Sequence, residues 1–225
     1  MFQYLFATRL KTLEKNDGIT RRVTLDKQYR MHPVLGSFIS RNFYERFDPT
    51  EKFDSGRPAS DFAHSLPGTD GKPAVWLDVP AIKGKHQRSG TSWTRPAEAT
   101  VIARQLQVWM SSDAGKDLSF GVISFYKAQA ELIKKQLGRI ADDDRKLRVG
   151  TVDSFQGMEF NVVFLSVVRS VLVKAEIERL KKKVLAKGED WNEEREARAQ
   201  FGHLCLYNRL NVSMSRQKKL LVVVG

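Results

Sequence analysis

Three almost unbroken apolar runs govern what this chain can fold into: Ser119–Phe125 (SFGVISF), Asn161–Val168 (NVVFLSVV) and Lys219–Val224 (KLLVVV). A strand with one wet face alternates apolar and polar residues. A strand that is apolar throughout has to be covered on both faces, and a parallel sheet between two helix layers supplies that cover. Helical patterns stand between the runs. Pro96 opens a helix to about Met110, a second runs from about Lys127 to Leu137, and a third covers about Gly202–Ser215. Ala74–Val79 (AVWLDV) and Arg148–Val152 add shorter strands. The alternation predicts an α/β fold with a doubly wound, mainly parallel sheet.

The remainder is organised around that frame. Apolar spacing predicts a helix over 2–15, followed by a turn at Asn16–Gly18, a short strand around Arg22–Leu25, and a helix from about Val34 to Tyr44 behind Pro33. Residues 48–73 are rich in Asp, Pro, Ser, Gly and Thr and read as a long loop; 80–95 form a second, basic loop that carries Trp93. The mixed-charge segment at about 171–202 has helix-forming composition and reads as a solvated face. One domain over 1–225 is expected, with a loop insertion at about 48–95 and the charged helical insertion at 171–202. The chain opens on a helix and stops one residue after its last strand, which together suggest a segment of something longer.

No apolar run reaches the ~18 residues a membrane-spanning helix needs, and the N-terminus lacks the pattern of a signal peptide. The single cysteine, Cys205, sits in an apolar run and reads as a packed hydrophobe. Without paired cysteines a reducing intracellular compartment is expected, cytoplasmic or, in a eukaryote, nuclear. Thirty-eight Lys and Arg against 26 Asp and Glu leave a formal net charge of +12. That excess fits a polyanionic partner, because each neutralised phosphate releases counterions, and on charge alone it fits simple solubility equally well.

Four segments concentrate polar chemistry at strand ends or on a helix preceding one: Gln28–Pro33 (QYRMHP), Gly121–Gln129 (GVISFYKAQ), Gly150–Glu159 (GTVDSFQGME) and Arg209–Arg216 (RLNVSMSR). In an open parallel sheet, ligands bind beyond the carboxyl ends of the strands, so all four are expected to line one edge. Arg30 and Arg216 are permanent cations with planar donor forks matched to phosphate oxygens. Glu159 could accept from a ribose hydroxyl, and Tyr29 offers an aromatic face to a base. Ser124, Thr151 and Ser154 are short hydroxyl donors suited to backbone phosphates. Singly, each has a plainer reading: tyrosines at core edges, surface arginines, Gly157 as a turn. His32 reads as a structural hydrogen-bonder, since no second ligand stands at metal spacing from it.

Jointly and in this order, the segments resemble the second RecA-like domain of superfamily 1 helicases, in the 1B branch that contains the RNA-surveillance helicase of nonsense-mediated decay. QYRMHP looks like the branch's motif between III and IV, ISFYKAQ like motif IV with Phe125 where Pro is usual, VGTVDSFQGMEFNVVFLSVVRS like motif V, and RLNVSMSRQKKLLVVVG like motif VI. GTSWTRPAEA (Gly90–Ala99) is similar to the family's segment before its helix. Met158, often basic in relatives, and Gln217, usually alanine, depart from the pattern. The resemblance implies that Arg30 and Arg216 act catalytically at the γ-phosphate of ATP, and that Gln28, Tyr29, Gly157 and Glu159 contribute to the nucleotide site. It also implies that Ser124, Tyr126, Thr151, Asp153 and Ser154 contact single-stranded nucleic acid, and that Arg169 supports coupling between the two sites.

A P-loop, G-x-x-x-x-G-K-[ST], is absent from the sequence: Gly71-Lys72 is followed by Pro73. No Asp-Glu pair follows an apolar strand. The resemblance therefore implies a C-terminal motor domain without its own P-loop. Its ATP and Mg2+ would be held mainly by an N-terminal RecA-like domain of the same polypeptide, and the segment alone would be inactive as an ATPase. Its partners would be single-stranded nucleic acid, DNA or RNA, and no membrane. The alternative is a non-catalytic nucleic-acid-binding module derived from such a domain. An unrelated α/β enzyme has no nucleophile elbow, Cys-His pair or paired carboxylates to support it.

Overall fold

The computed structural model describes residues 9–19, 25–142, 146–169 and 174–225. In chain order the elements are α1 (Leu10–Asp17), β1 (Lys27–Gln28), α2 (Pro33–Ile39), β2 (Asp54–Ser55), β3 (Ala74–Leu77), β4 (Gln87–Ser89), β5 (Ser92–Thr94), α3 (Pro96–Met110), β6 (Phe120–Ser124) and α4 (Lys127–Leu137). They continue with β7 (Leu147–Thr151), β8 (Phe160–Ser166), α5 (Lys174–Leu185), α6 (Glu193–Phe201), α7 (Tyr207–Ser213) and β9 (Gln217–Val224). The expected positions 2–8 of the first helix, 22–24 of the first strand and 171–173 of the charged segment lie outside the described residues.

The central sheet has the order β3-β9-β8-β6-β7, and every neighbouring pair is parallel. The apolar runs are covered on both faces, as their composition requires. Val122, Phe164 and Val222 point into one core with Ile102, Leu106 and Trp109 of α3 and Ile133 of α4. Their immediate neighbours Ile123, Val163, Leu165 and Leu221 point into the other, with Met31, Leu35 and Ile39 around α2 and with Val152 and Phe155. This two-residue alternation between cores is the strand period at work, and it makes the α/β sheet doubly wound.

Local chemistry sets the helix starts. Pro33 and Pro96 occupy first-turn positions, where a missing N–H costs nothing. His32 caps α2, its Nδ1 accepting from the Val34 N–H at 3.2 Å, which is the structural role read for it. Burial, reinforced by His64, lowers its pKa below the usual imidazole range.

Several sequence expectations change, among them the 80–95 loop, which holds the antiparallel pair of β4 and β5. The helix expected over Gly202–Ser215 is a 3-10 turn, Gly202–Cys205, and then α7, because Leu206 between them takes extended backbone geometry (φ −88°, ψ 98°). The helix expected to Tyr44 leaves α geometry at Ser40 and continues as a wider π turn to Glu45. The 48–73 loop contains β2, which pairs in parallel with β1 (Lys27 with Asp54, Gln28 with Ser55) and so fixes the segment leading to Arg30.

Candidate functional site

The geometry around Arg30 starts with Gln28. Its Oε1 accepts from the backbone N–H of Arg30 (2.9 Å) and of Met31 (2.8 Å), and its Nε2 donates to the Met31 carbonyl (2.8 Å) and to Ser55 Oγ (2.6 Å). One amide side chain thus closes the turn that carries Tyr29 and Arg30. Tyr29 is largely exposed, with its ring laid across Gly56, where a Cβ would overlap the ring. Arg30 crosses to the opposite end of the chain: its Nη1 donates to the Ser215 carbonyl at 3.2 Å and its Nε to Glu159 at 3.1 Å.

Arg216 stands beside it, held by Nε to the Val212 carbonyl (3.0 Å) and Nη2 to Ser215 Oγ (3.0 Å). Both arginines line one cavity of about 590 Å³, with Gln28, Tyr29, Tyr44 and Asn211. Burial lowers the Arg216 pKa and the Arg30 charge adds to the effect, so the second guanidinium is partly desolvated against a like charge. Glu159 is the local carboxylate. It is shared between Arg30 and Lys218 (2.6 Å), and the Lys218 contact first, then Arg30, holds its pKa below the ordinary glutamate range. Gly157 precedes it at φ +80°, a conformation that favours glycine, in open space. Three cations around one carboxylate leave this corner positive.

The other candidates lie elsewhere, which corrects the expectation of one shared edge. Ser124 is in register with Thr151 and Ser166 at the carboxyl ends of β6, β7 and β8. Glu159 and Arg216 instead immediately precede the amino ends of β8 and β9, where Phe160 pairs with Gln217. The Val152–Phe155 turn carries the chain back across one face of the sheet, burying Val152 and Phe155 on the way. A seven-residue strand separates the two ends by about 20 Å.

At the carboxyl edge, Ser124 is 1% exposed and its Oγ accepts from the Tyr126 N–H at 3.2 Å. Tyr126 is 5% exposed, its hydroxyl accepting from the His203 N–H at 3.4 Å. In this conformation Ser124 supports the edge from within, while Tyr126, although largely buried, lines a cavity at the start of α4. Thr151 is half-buried, and its carbonyl accepts from Ser154 Oγ at 2.7 Å. Asp153 and Ser154 are exposed, and Asp153 pairs with Arg209 at 2.8 Å.

A family profile described as an AAA domain matches residues 5–225. The chain belongs to this AAA-domain family. Its relatives carry the helicase names that the motif order anticipates. Human "Probable helicase senataxin" is 28% identical over 99% of this chain, human "RNA helicase Mov10l1" 31% over 89%, and the Neurospora crassa "Regulator of nonsense transcripts 1 homolog" 27% over 90%. The superfamily 1B resemblance read from the motifs is therefore shown. The chain spans 7%, 15% and 16% of those relatives' own lengths, respectively.

Within this AAA domain the motif reading missed three neighbours of the arginines. Lys218 is the second residue of β9, two residues after Arg216, and reaches Glu159 at 2.6 Å. Asn211 lies inside RLNVSMSR, and its Nδ2 donates to the Tyr44 hydroxyl at 3.3 Å. Tyr44 itself has no local signal, since only the packing of the Ser40–Glu45 turn brings it to the cavity. Among the described residues, no group of three or more His, Cys, Asp or Glu is arranged to hold a metal ion, and no helix is long and apolar enough to cross a membrane.

Proposed function

We propose that this domain is the C-terminal motor half of an ATP-dependent superfamily 1B helicase, and that Arg30 and Arg216 are its contribution to the ATP site. One observation carries the reading: Arg30 reaches the carbonyl of Ser215, 185 residues away, and so stands in the same cavity as Arg216. Two guanidinium groups in one cavity, of which only Arg30 pairs with Glu159, repel each other until an anion arrives. A terminal phosphate carrying several negative oxygens suits that pair. Arginines so placed stabilise charge in phosphoryl transfer, where one contributes about 10³ to 10⁵ in rate.

The residues present fit the tail of a triphosphate and do not fit its metal. The phosphate cradle and the Mg2+ are assigned to an N-terminal RecA-like domain of the same polypeptide. Gln28 holds the turn, Tyr29 presents its exposed ring toward a base, and Gly157 lets the chain turn into Glu159. Glu159 keeps lone pairs free for a ribose hydroxyl while it steadies Arg30. Phosphate charge in the cleft draws the two motor domains together and its removal lets them part. Alternating grip on single-stranded nucleic acid, gathered at the carboxyl edge around Thr151, Asp153 and Ser154, then yields 5′ to 3′ movement and unwinding. Backbone contacts of this kind serve DNA and RNA alike.

The test compares steady-state ATP hydrolysis by residues 1–225 with that of the full-length protein, each with and without single-stranded nucleic acid. The expected result is strand-stimulated turnover by the full-length protein and none by the segment. Stimulated turnover by the segment would overturn the assignment.

A further inference from the structure

The charged segment has no part in the arginine cavity. Its second helix, α6, runs to the carboxyl edge of the sheet, where a separate cavity of about 580 Å³ lies between β5, the start of α4 and the turn after α6. Lys127, Arg169, Arg198 and His203 line it, and no carboxylate does. Two acidic groups beside these cations are engaged. Glu194 pairs with Arg198 at 2.8 Å, and Asp153, which faces His203, pairs with Arg209 at 2.8 Å. The Glu194–Arg198 pair is well exposed, so it is weak and exchangeable. His203 is kept toward its neutral form by burial and by Arg209 and Arg169, which leaves Lys127, Arg169 and Arg198 as the lasting charges.

Arg169 is held in place from three directions. The turn before it has Val168 at φ +62°, a conformation a β-branched residue adopts only when its surroundings impose it. Glu98, fully buried, accepts from the Val168 N–H at 2.9 Å and from Ser166 Oγ at 2.7 Å, and so fixes that turn. The guanidinium then lies over Trp93, 4.9 Å from the ring centre, and its Nη2 donates to the Ala199 carbonyl of α6. Its Nε is buried without a hydrogen-bond partner. Arg88 also stacks on Trp93, at 4.5 Å, so the ring steadies cations and is already covered as a platform for a base. The N-terminus of α4 opens at the same place without a side-chain cap and adds its positive end.

We propose that this cavity binds a backbone phosphate of a single nucleic-acid strand, and that Arg198 supplies one of its contacts from the charged segment. The proposal rests on the helicase reading above. With cations and a helix terminus as its recognising groups, and with Trp93 covered, the site reads charge and spacing and not base identity.

The experiment measures binding of a fluorescent single-stranded oligonucleotide to the full-length protein across a salt series, for the wild type, Arg198→Ala and Arg195→Ala. Arg195 lies on the same helix, pairs with Glu189 and does not line the cavity, so it controls for general charge. Arg198→Ala is expected to weaken binding several-fold and to reduce the slope of log affinity against log salt by about 0.7, the loss of one single-strand phosphate contact. Arg195→Ala is expected to leave both nearly unchanged. A wild type that binds while Arg198→Ala matches it, or equal losses in both variants, overturns this proposal and leaves the helicase reading standing. A wild type that binds no strand removes both. Displacement of the strand by inorganic phosphate at constant ionic strength, abolished by Arg198→Ala, would assign the cavity to a free anion and overturn the proposal as well.

Discussion

Arg30 and Arg216 are expensive neighbours, and Glu159 decides how well the fold tolerates them. Lys218 and Arg30 stabilise its charged form, which lowers its pKa in the folded state. The sign follows directly: a depressed acid contributes stability that is fully present above its unfolded pKa of about 4.3 and is lost as pH falls through the lower folded value. Glu159→Gln removes that titration. The difference in unfolding free energy between wild type and Glu159→Gln is therefore expected to be constant near neutrality and to shrink as pH falls below about 4.3, measured by urea denaturation at a series of pH values. Parallel profiles down to the acid limit would mean that Glu159 does not hold the pair together. The two arginines were readable from QYRMHP and RLNVSMSR because those motifs specify them. Glu159's second partner was not, since Lys218 belongs to an apolar strand whose pattern reports burial and not charge.

Among the elements, the helix and strand pattern from Pro96 to Ser166 was legible because each segment repeats one period long enough to read. The matches at α3 and α4 reach the terminal residues, Pro96–Met110 and Lys127–Leu137. The β1–β2 pairing was invisible, because two residues carry no period and their partner lies in a segment of turn-forming composition. The buried polar network between α3 and the sheet was also invisible. Arg95, 0% exposed, pairs with Glu98 at 3.1 Å and donates through Nε to Gly84 (3.1 Å) and through Nη2 to the Val79 carbonyl. Gln129 ties the Arg95 backbone to Ser166 at 3.0 Å. In sequence, Arg95 and Glu98 look like two surface charges at the start of a helix. Burial raises the Glu98 pKa, while its hydrogen bonds to Ser166 and Val168 and the Arg95 charge work against that rise. Arg95→Ala leaves a buried carboxylate without its cation. It is expected to cost about 3 to 5 kcal/mol of stability, read by denaturant unfolding; a loss below about 1 kcal/mol, the range of exposed pairs, would show that the pair is solvated.

For the whole molecule, the sheet separates two chemistries on one scaffold. The arginine cavity stands at the amino ends of β8 and β9, and the cationic cavity with Arg169 stands at the carboxyl edge. The segment from Thr151 to Glu159 runs from one end to the other, a direct covalent path between the carboxyl edge and the arginine cavity. The carboxyl-end rule places both sets of residues on one edge, because it describes ligands held by the loops that leave strands. Here the chain crosses the sheet face and delivers Glu159 at the far end.

The central claim is that the paired guanidiniums act on ATP and not on the strand. It is tested most directly by Arg216→Ala in the full-length protein, with strand-stimulated ATP hydrolysis and strand affinity measured on the same preparation. The account predicts a fall in turnover of about 10³-fold or more with strand affinity retained. Turnover that survives the substitution, or strand affinity that disappears with it, would contradict the account and favour a binding module in which Arg216 serves the nucleic acid.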